Sequence, residues 1–309
     1  MHSHELPVST YSIVARDPKT GQLGVAVQSH YFGVGVIVPW AEAGVGVVAT
    51  QAFAELSYGR RGLELMRAGG AAPDVLNQLV TQDPLNNIRQ VAMVDAHGHA
   101  VAHTGSSTIA EAGHIIGDGF SVQANMMLRS SVWGAMADAY RSTRAEFVER
   151  LLAALEAAEA EGGDIRGRQS AALLVVGGQS SGQLQAGKLL DLRVDDAPEP
   201  LTELRRLVRI SRGYDHLRQA QAATERGDLQ AVNDQYEKAA ALLGDNHEAR
   251  FWQAVTLMQM GQVDAGLAIL GAIAAGNANW RELALRLPNF ILRDRDGLFE
   301  RIRKLELVK

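Results

Sequence analysis

The stretch Val8–His30, VSTYSIVARDPKTGQLGVAVQSH, holds two β-branched apolar runs, TYSIVAR and LGVAVQS, joined by DPKTGQ. Pro18 presets a turn dihedral and Gly21 admits positive φ, so the segment reads as a β-hairpin. Side chains alternate along a strand, which puts Thr10 and Ser12 on one face of the first run and Tyr11 and Ile13 on the other. Polar groups therefore stand at the mouth of one strand, and Gln28, Ser29 and His30 close the next. A hydroxyl is a weak nucleophile until a base takes its proton, and a threonine that is itself the chain terminus can use its own α-amine. By residue type alone, two hydroxyls at a strand start are more often structural, hydrogen-bonded groups.

Working outward, GVGVIVPWAEAGVGVVATQA (33–52) gives two more short strands, with Pro39 and Gly44 as breaks. SYGRRGLELMRAG and APDVLNQLVTQ carry apolar residues at helical spacing, the first ended by Gly69 and Gly70, the second opened by Pro73. RQVAMVDAHGHAVAHTG returns to strand pairing about its His-Gly turn, and FSVQANM is another strand. A helical block ends in STRAEFVERLLAALEAAEAEGG, where Thr143 and Glu146 have capping-box spacing and Gly162 and Gly163 fit a helix end. RQSAALLVVGG and LLDLRV close the sheet. This order predicts an α+β domain with helices layered on largely antiparallel sheets.

At DDAPEP (Asp195–Pro200) the composition shifts to prolines and acids, which divides the chain into residues 1–195 and 196–309. Beyond it β-branched runs vanish and the pattern is helical. Gly227-Asp228 and Gly261-Gln262 lie 34 residues apart, as do Ala220 and Ala254, Tyr236 and Leu270, and Ala239 and Ile273. That period resembles the tetratricopeptide repeat over two units, 213–246 and 247–280. Val232 and Gly266 stand where the repeat usually has alanine, and Gly244 and Trp280 where it usually has proline. A plain antiparallel helical bundle is the other reading of the same residues.

The 309 residues are 47% hydrophobic and 21% charged, enough for roughly two globular domains. A net charge of -5 without any Lys/Arg block argues against nucleic acid or an anionic membrane as partner. With no cysteine, thiolate nucleophiles, thiolate metal sites and disulfides are excluded. MHSHELPVST has neither the basic nor the apolar region of a signal peptide, and no apolar run suits a membrane span, so a cytoplasmic protein is expected.

His30, His97, His99, His103 and His114 invite a Ser-His-acid arrangement with Asp95 or Asp118. However, no G-x-S-x-G elbow occurs, and adjacent Ser29 and His30 point to opposite faces of a strand. His97 and His99 could reach one metal, but no convergent carboxylates lie near them, so no metal or other cofactor is expected and both read as solvated turn residues. The MHSH start reads as a terminus that could chelate a metal adventitiously. The glycine-flanked segments HTGSS (103–107), AGH (112–114) and GDGFSVQANMM (117–127) are the kind that bring polar groups close to a ligand. Gln123 and Asn125 share a strand face, and either amide can serve as an oxyanion donor or simply satisfy backbone groups. The strand-end residues His30, Thr50, Gln51, His103, Thr104, His114, Asp118 and Gln123 are the candidates for binding substrate.

Taken in order, TYSIVARDPKTGQLGVAVQS, AGVGVVATQA, SYGRRGLELM, RQVAMVDAHGHAVAHTG, AGHIIGDGFSVQANMM and GRQSAALLVV resemble the bacterial family called domain of unknown function 1028, grouped with the N-terminal nucleophile (Ntn) hydrolases. The likeness runs over residues 9–195. It implies a four-layer αββα sandwich, followed here by the tetratricopeptide-like helices, in a family some of whose members carry a C-terminal region described as peptidoglycan-binding. It also implies amide hydrolysis through an acyl-enzyme at a Thr, Ser or Cys opening the first strand, which matches Thr10. Ser12, Ser29 and Asn125 then fit as supporting groups, Asn125 at the oxyanion, with a small amide or peptide-like substrate and no cofactor. Nine residues, MHSHELPVS, precede Thr10, so methionine removal does not expose it and a cleavage at Ser9–Thr10 is required. Without that cleavage the alternative is a non-catalytic scaffold whose helical repeats bind a protein partner or a cell-wall peptide. Folds of this kind with a repeat extension often self-associate through exposed edges or helices, so a homo-oligomer is expected.

Overall fold

The structure, a computed structural model, describes residues 7–180 and 187–305, and the MHSH motif lies outside them. β1 (Thr10–Arg16) and β2 (Leu23–Ser29) pair antiparallel with Tyr11 opposite Gln28 and Arg16 opposite Leu23. Asp17 holds their turn by accepting from the Thr20 backbone (3.1 Å) and hydroxyl (2.6 Å), and Gly21 takes φ +73° there. A non-glycine residue adopts that dihedral only with strain.

The remaining strands are β3 (Pro39–Glu42), β4 (Gly46–Ala52), β5 (Arg89–Asp95), β6 (Ala100–Thr104), β7 (Gly113–Gly117), β8 (Phe120–Asn125), β9 (Ser170–Val176) and β10 (Lys188–Val194). They form two antiparallel sheets, ordered β10-β9-β2-β1-β8-β7 and β3-β4-β5-β6. Pro39 opens β3 rather than breaking it, a position where its missing N–H leaves no ladder bond unmade. Helices α1 (Ser57–Arg67) and α2 (Ala72–Gln82) lie on the four-stranded sheet, and α3 (Val132–Ser142) and α4 (Phe147–Ala160) on the six-stranded one.

Strand alternation builds the layers. Val14, Val25 and Val27 meet Val47, Ala49, Ala92 and Val94 between the sheets. The intervening residues Val48, Val91 and Met93 turn outward onto Tyr58, Leu63 and Leu76 of α1 and α2. Each buried valine, leucine or methionine among them is worth about 1.5–3 kcal/mol against exposure. On the far side α4 approaches β2 closely: a methyl at Gly24 would stand 2.7 Å from Leu151 and 2.9 Å from Phe147.

Two local expectations are corrected. Thr143 does not cap α4; its hydroxyl donates to the Ala139 carbonyl (2.7 Å) and closes α3, while Glu146 precedes α4 without a side-chain cap. GHIIG (113–117), not expected as a strand, is β7, recruited by pairing with β8.

The chain divides into two compact units, Met1–Arg206 and Leu207–Lys309, the division falling inside α5 (Pro200–Glu225) rather than at 195/196. The second unit continues with α6 (Leu229–Leu243), α7 (Glu248–Gln259), α8 (Val263–Gly276), α9 (Asn279–Arg286) and α10 (Leu298–Arg303). Residues in the 34-residue register are buried: Ala220, Tyr236, Ala239, Ala254, Leu270 and Ile273. Gly227 (φ +70°) and Gly261 (φ +84°) make the turns between α5 and α6 and between α7 and α8. Gly266 packs so near α7 that an added methyl would lie 2.6 Å from the Ala254 carbonyl oxygen, which explains a glycine there. Among the described residues no helix is long and apolar enough to cross a membrane.

Candidate functional site

The apolar layer between the sheets gives way to polar side chains where β1 begins. Thr10 pairs with Asn125 of β8, and Ser12 with Gln123, so all four side chains face the opposing sheet. There Gln51 of β4 and Gln90 of β5, themselves cross-strand partners, meet them. The Ser12 hydroxyl donates to Gln51 Oε1 (2.6 Å) and accepts from Gln123 Nε2 (2.6 Å). Gln51 Nε2 donates to Gln90 Oε1 (2.7 Å) and to the Thr10 carbonyl (3.2 Å). Asn125 Nδ2 donates to Gln90 Oε1 (3.0 Å) and, at 3.4 Å, to the same Thr10 carbonyl. These amides satisfy one another in a layer closed to water, the condition under which a buried polar network specifies geometry instead of costing stability.

Gln90 carries the network outward. Its Nε2 donates to the Ala124 carbonyl (2.9 Å) and to Thr104 Oγ1 (2.9 Å), and Thr104 lies 2.8 Å from His114 Nδ1. Thr104 Oγ1 and His114 Nδ1 share one hydrogen bond, donated by the hydroxyl when the ring proton is on Nε2 and by the ring when it is on Nδ1. Burial, and next the neighbouring His103 imidazole, hold His114 below its usual value, in keeping with a neutral ring.

Thr10 is fully buried, and its hydroxyl donates to the Val8 carbonyl (2.9 Å). The residue before it is held as firmly. Ser9 Oγ donates to the Asn125 carbonyl (3.1 Å), and the Ser9 carbonyl accepts the Ser29 hydroxyl. Thus Ser29 touches the acyl side of the Ser9–Thr10 peptide bond. Two non-glycine residues with left-handed backbones flank this point: Ala52 (φ +64°), bridged to Val8, and Met126 (φ +58°), next to Asn125. Such dihedrals cost about 1–3 kcal/mol and cluster at functional sites.

The other face of the hairpin is separate. Tyr11 OH donates to Glu159 of α4 (2.7 Å), Gln28 donates to the same carboxylate, and Arg168 pairs with it (3.0 Å). Burial first, then Glu159, pushes the Tyr11 hydroxyl well above its ordinary value, so it stays a donor. The His30 backbone N–H donates to Asp164 (3.2 Å), while its buried Nδ1 has no partner among the described residues.

The structure therefore joins Thr10, Ser12, Ser29, Gln51, Thr104, His114, Gln123 and Asn125, and leaves other candidates outside. Thr50 and His103 face α1 and the α2–β5 connection, bonding the carbonyls of Glu55 (3.2 Å) and Asn86 (2.8 Å), because alternation turns them opposite to Gln51 and Thr104. Asp118 is exposed in the β7–β8 turn at the far end of β8 from Asn125, about 17 Å away at the usual strand rise. Asp95 is likewise at the far end of β5 from Gln90, and among the described residues no Ser-His-acid set forms around Ser29. It instead accepts from the N–H groups of Ala72, His97 and His99 and from the His99 ring (2.9 Å). Ser9, Ala52 and Gln90 escaped the sequence reading. Gln90 carries a signal in retrospect, a polar residue in phase with the inward Ala92 and Val94.

The model for a family of unknown function, DUF1028, matches residues 10–204. The chain belongs to that family. A crystal structure of a Silicibacter pomeroyi DUF1028 protein is 33% identical, superposes with a TM-score of 0.58, and is matched over 65% of this chain and 88% of its own. No curated protein shows significant similarity. The DUF1028 match opens at Thr10, the first residue of β1, and closes two residues before the end of the first compact unit.

Proposed function

We propose that this DUF1028 protein is an Ntn-type amidohydrolase for small amide or peptide-like substrates, latent while the Ser9–Thr10 bond is intact. Two facing antiparallel sheets with helices on both outer faces support assigning its first unit to the Ntn-hydrolase-like sandwich. The paired helices in 34-residue register support a tetratricopeptide-like second unit.

The observation that carries the reading is the Ser29 hydroxyl on the Ser9 carbonyl, beside Thr10 in a site closed to water. Rotated away from Val8, Thr10 Oγ1 attacks the Ser9 carbonyl carbon, and negative charge develops on the oxygen that Ser29 already bonds. One such donor is typically worth about 100-fold to 1000-fold in rate. The C–N bond breaks, the hydroxyl proton goes to the leaving Thr10 nitrogen, and an ester links Ser9 to Oγ1. Water hydrolyses that ester, releasing the Ser9 carboxylate and leaving Thr10 with a free α-amine as base for later substrates. Asn125 and Gln51 fix Thr10 through its carbonyl. No cofactor enters this scheme.

Intact mass of purified, untagged protein tests it. The wild type loses Met1–Ser9 on incubation and then hydrolyses an amide; Thr10→Ala keeps full mass, hydrolyses nothing and melts at nearly the same midpoint. A wild type that stays full length overturns the proposal.

One observation favours a non-catalytic scaffold instead: Thr10 is wholly buried and bonded to a backbone carbonyl, with no titratable side chain on its hydroxyl among the described residues. Under that reading the second unit binds a protein or cell-wall peptide, for which it has a cleft of about 620 Å³ lined by the exposed Phe290 with Arg293 and Arg295. Retention of cell-wall peptides by Thr10→Ala protein as fully as by wild type, together with an uncut wild type, would establish it.

A further inference from the structure

Val8 and Ser9 lie outside every strand, yet they are as well bound as any strand residue. Val8 is 4% exposed and Ser9 0%. The Val8 N–H donates to the Ala52 carbonyl (2.7 Å) and the Ala52 N–H to the Val8 carbonyl (3.0 Å), the reciprocal pair by which an extended peptide adds to a sheet. The Val8 side chain joins the apolar cluster that includes Val34, Val38 and Ala49. Ser9 fits a small space where its hydroxyl meets the Asn125 carbonyl and its own carbonyl meets Ser29.

Resting on the reading that Thr10 is the nucleophile, we infer that Val8-Ser9 marks the acyl-binding half of the site. The substrate is then an extended peptide with a small residue next to the bond cleaved and a valine-sized apolar residue before it. If Ser9–Thr10 is the first amide this site opens, the segment on its acyl side shows where later acyl groups lie. Ala52 supplies both main-chain bonds to such a substrate from a left-handed backbone, a reason for a strained non-glycine residue at the end of β4. The pocket beneath Val8 takes a branched apolar chain. The Ser9 position offers a carbonyl and a hydroxyl around a fully buried small side chain, so it favours a small residue. Hydrolysis consumes one water, returning the acyl half as a carboxylic acid and the other half as an amine.

The test uses full-length wild type carried through self-cleavage, followed by mass and freed of its leader. It is offered three p-nitroanilides, of acetyl-Pro-Val-Ser, acetyl-Pro-Asp-Ser and acetyl-Pro-Val-Arg, and a simple N-acetyl amino-acid anilide. The first is expected to exceed the other peptides by about tenfold or more in kcat/KM, the discrimination a shaped pocket supplies. Equal rates across the peptides, or turnover of the simple anilide alone, overturn the inference while Thr10 remains the nucleophile. No hydrolysis of any of the four by cleaved protein, or no self-cleavage at all, overturns the inference together with the reading beneath it.

Discussion

The Gln90 amide is the meeting point of the two sheets. It accepts from Gln51 and Asn125 and donates to the Ala124 carbonyl away from water, and to the half-buried Thr104. Gln90→Leu keeps the volume but breaks four of these hydrogen bonds, and each buried donor or acceptor left short of a partner costs about 1–3 kcal/mol. Local relaxation recovers part of this, so a loss of about 3–5 kcal/mol is expected in urea unfolding, within the range for a broken buried network. Ser12→Ala, which frees only one acceptor and one donor, should cost less than half as much. Equal losses for the two would mean that Gln90 is not the hub. At this scale much was legible: alternation alone put Thr10 and Ser12 on one face and Gln123 and Asn125 on another, and the structure brings the two pairs into register. Gln90 was not, because its value comes from partners on β4, β6 and β8, which no local pattern reveals.

Whole elements were legible where their periodicity was strong, as in β1, β2, β5 and the helices on the sheets, and failed where tertiary context decides. β7 is five residues bounded by glycines and becomes a strand only against β8. Thr143 has capping-box spacing but is already committed to the end of α3. Asp95 shows an element end held by one side chain, since it ties the β5–β6 turn to the start of α2 through Ala72. Burial pushes its carboxyl up, but the Ala72 N–H, the His99 ring and the turn N–H groups outweigh this and hold it below the usual range. A carboxylate depressed in the folded state contributes stability that is complete above its unfolded value, about 4, and is lost as pH falls through the lower folded value. Wild type should therefore exceed Asp95→Asn in urea midpoint at pH 6, with the gap shrinking as pH drops below about 4. A gap independent of pH would mean that the carboxylate charge contributes nothing at this turn.

For the whole molecule, the DUF1028 match and the first compact unit end within two residues of each other, at 204 and 206. The second unit has its own apolar clusters, built on Phe251, Ala254, Leu270 and Ile302 and on Ala220 and Tyr236. Every residue of the Thr10 network lies before residue 126. The loss of β-branched runs beyond DDAPEP foretold a C-terminal helical region, but not that its first helix, α5, would begin at Pro200 and run to Glu225. Separate cores imply separate cooperative transitions. Ala254 is fully buried where α7 and α8 touch, so Ala254→Asp forces a carboxylate into an apolar cluster at a cost of about 3–5 kcal/mol or more. That is a large share of what a unit of this size possesses. Calorimetry of the variant should show the helical unit's transition lowered or gone and the other in place. The proposed cleavage at Ser9–Thr10, followed by mass spectrometry, should keep the wild-type rate, because the strained Ala52 and Met126 and the Ser29 contact all belong to the first unit. A single transition shifted as a whole, or cleavage slowed in step with it, would show that the helices stabilise the chemistry rather than accompany it.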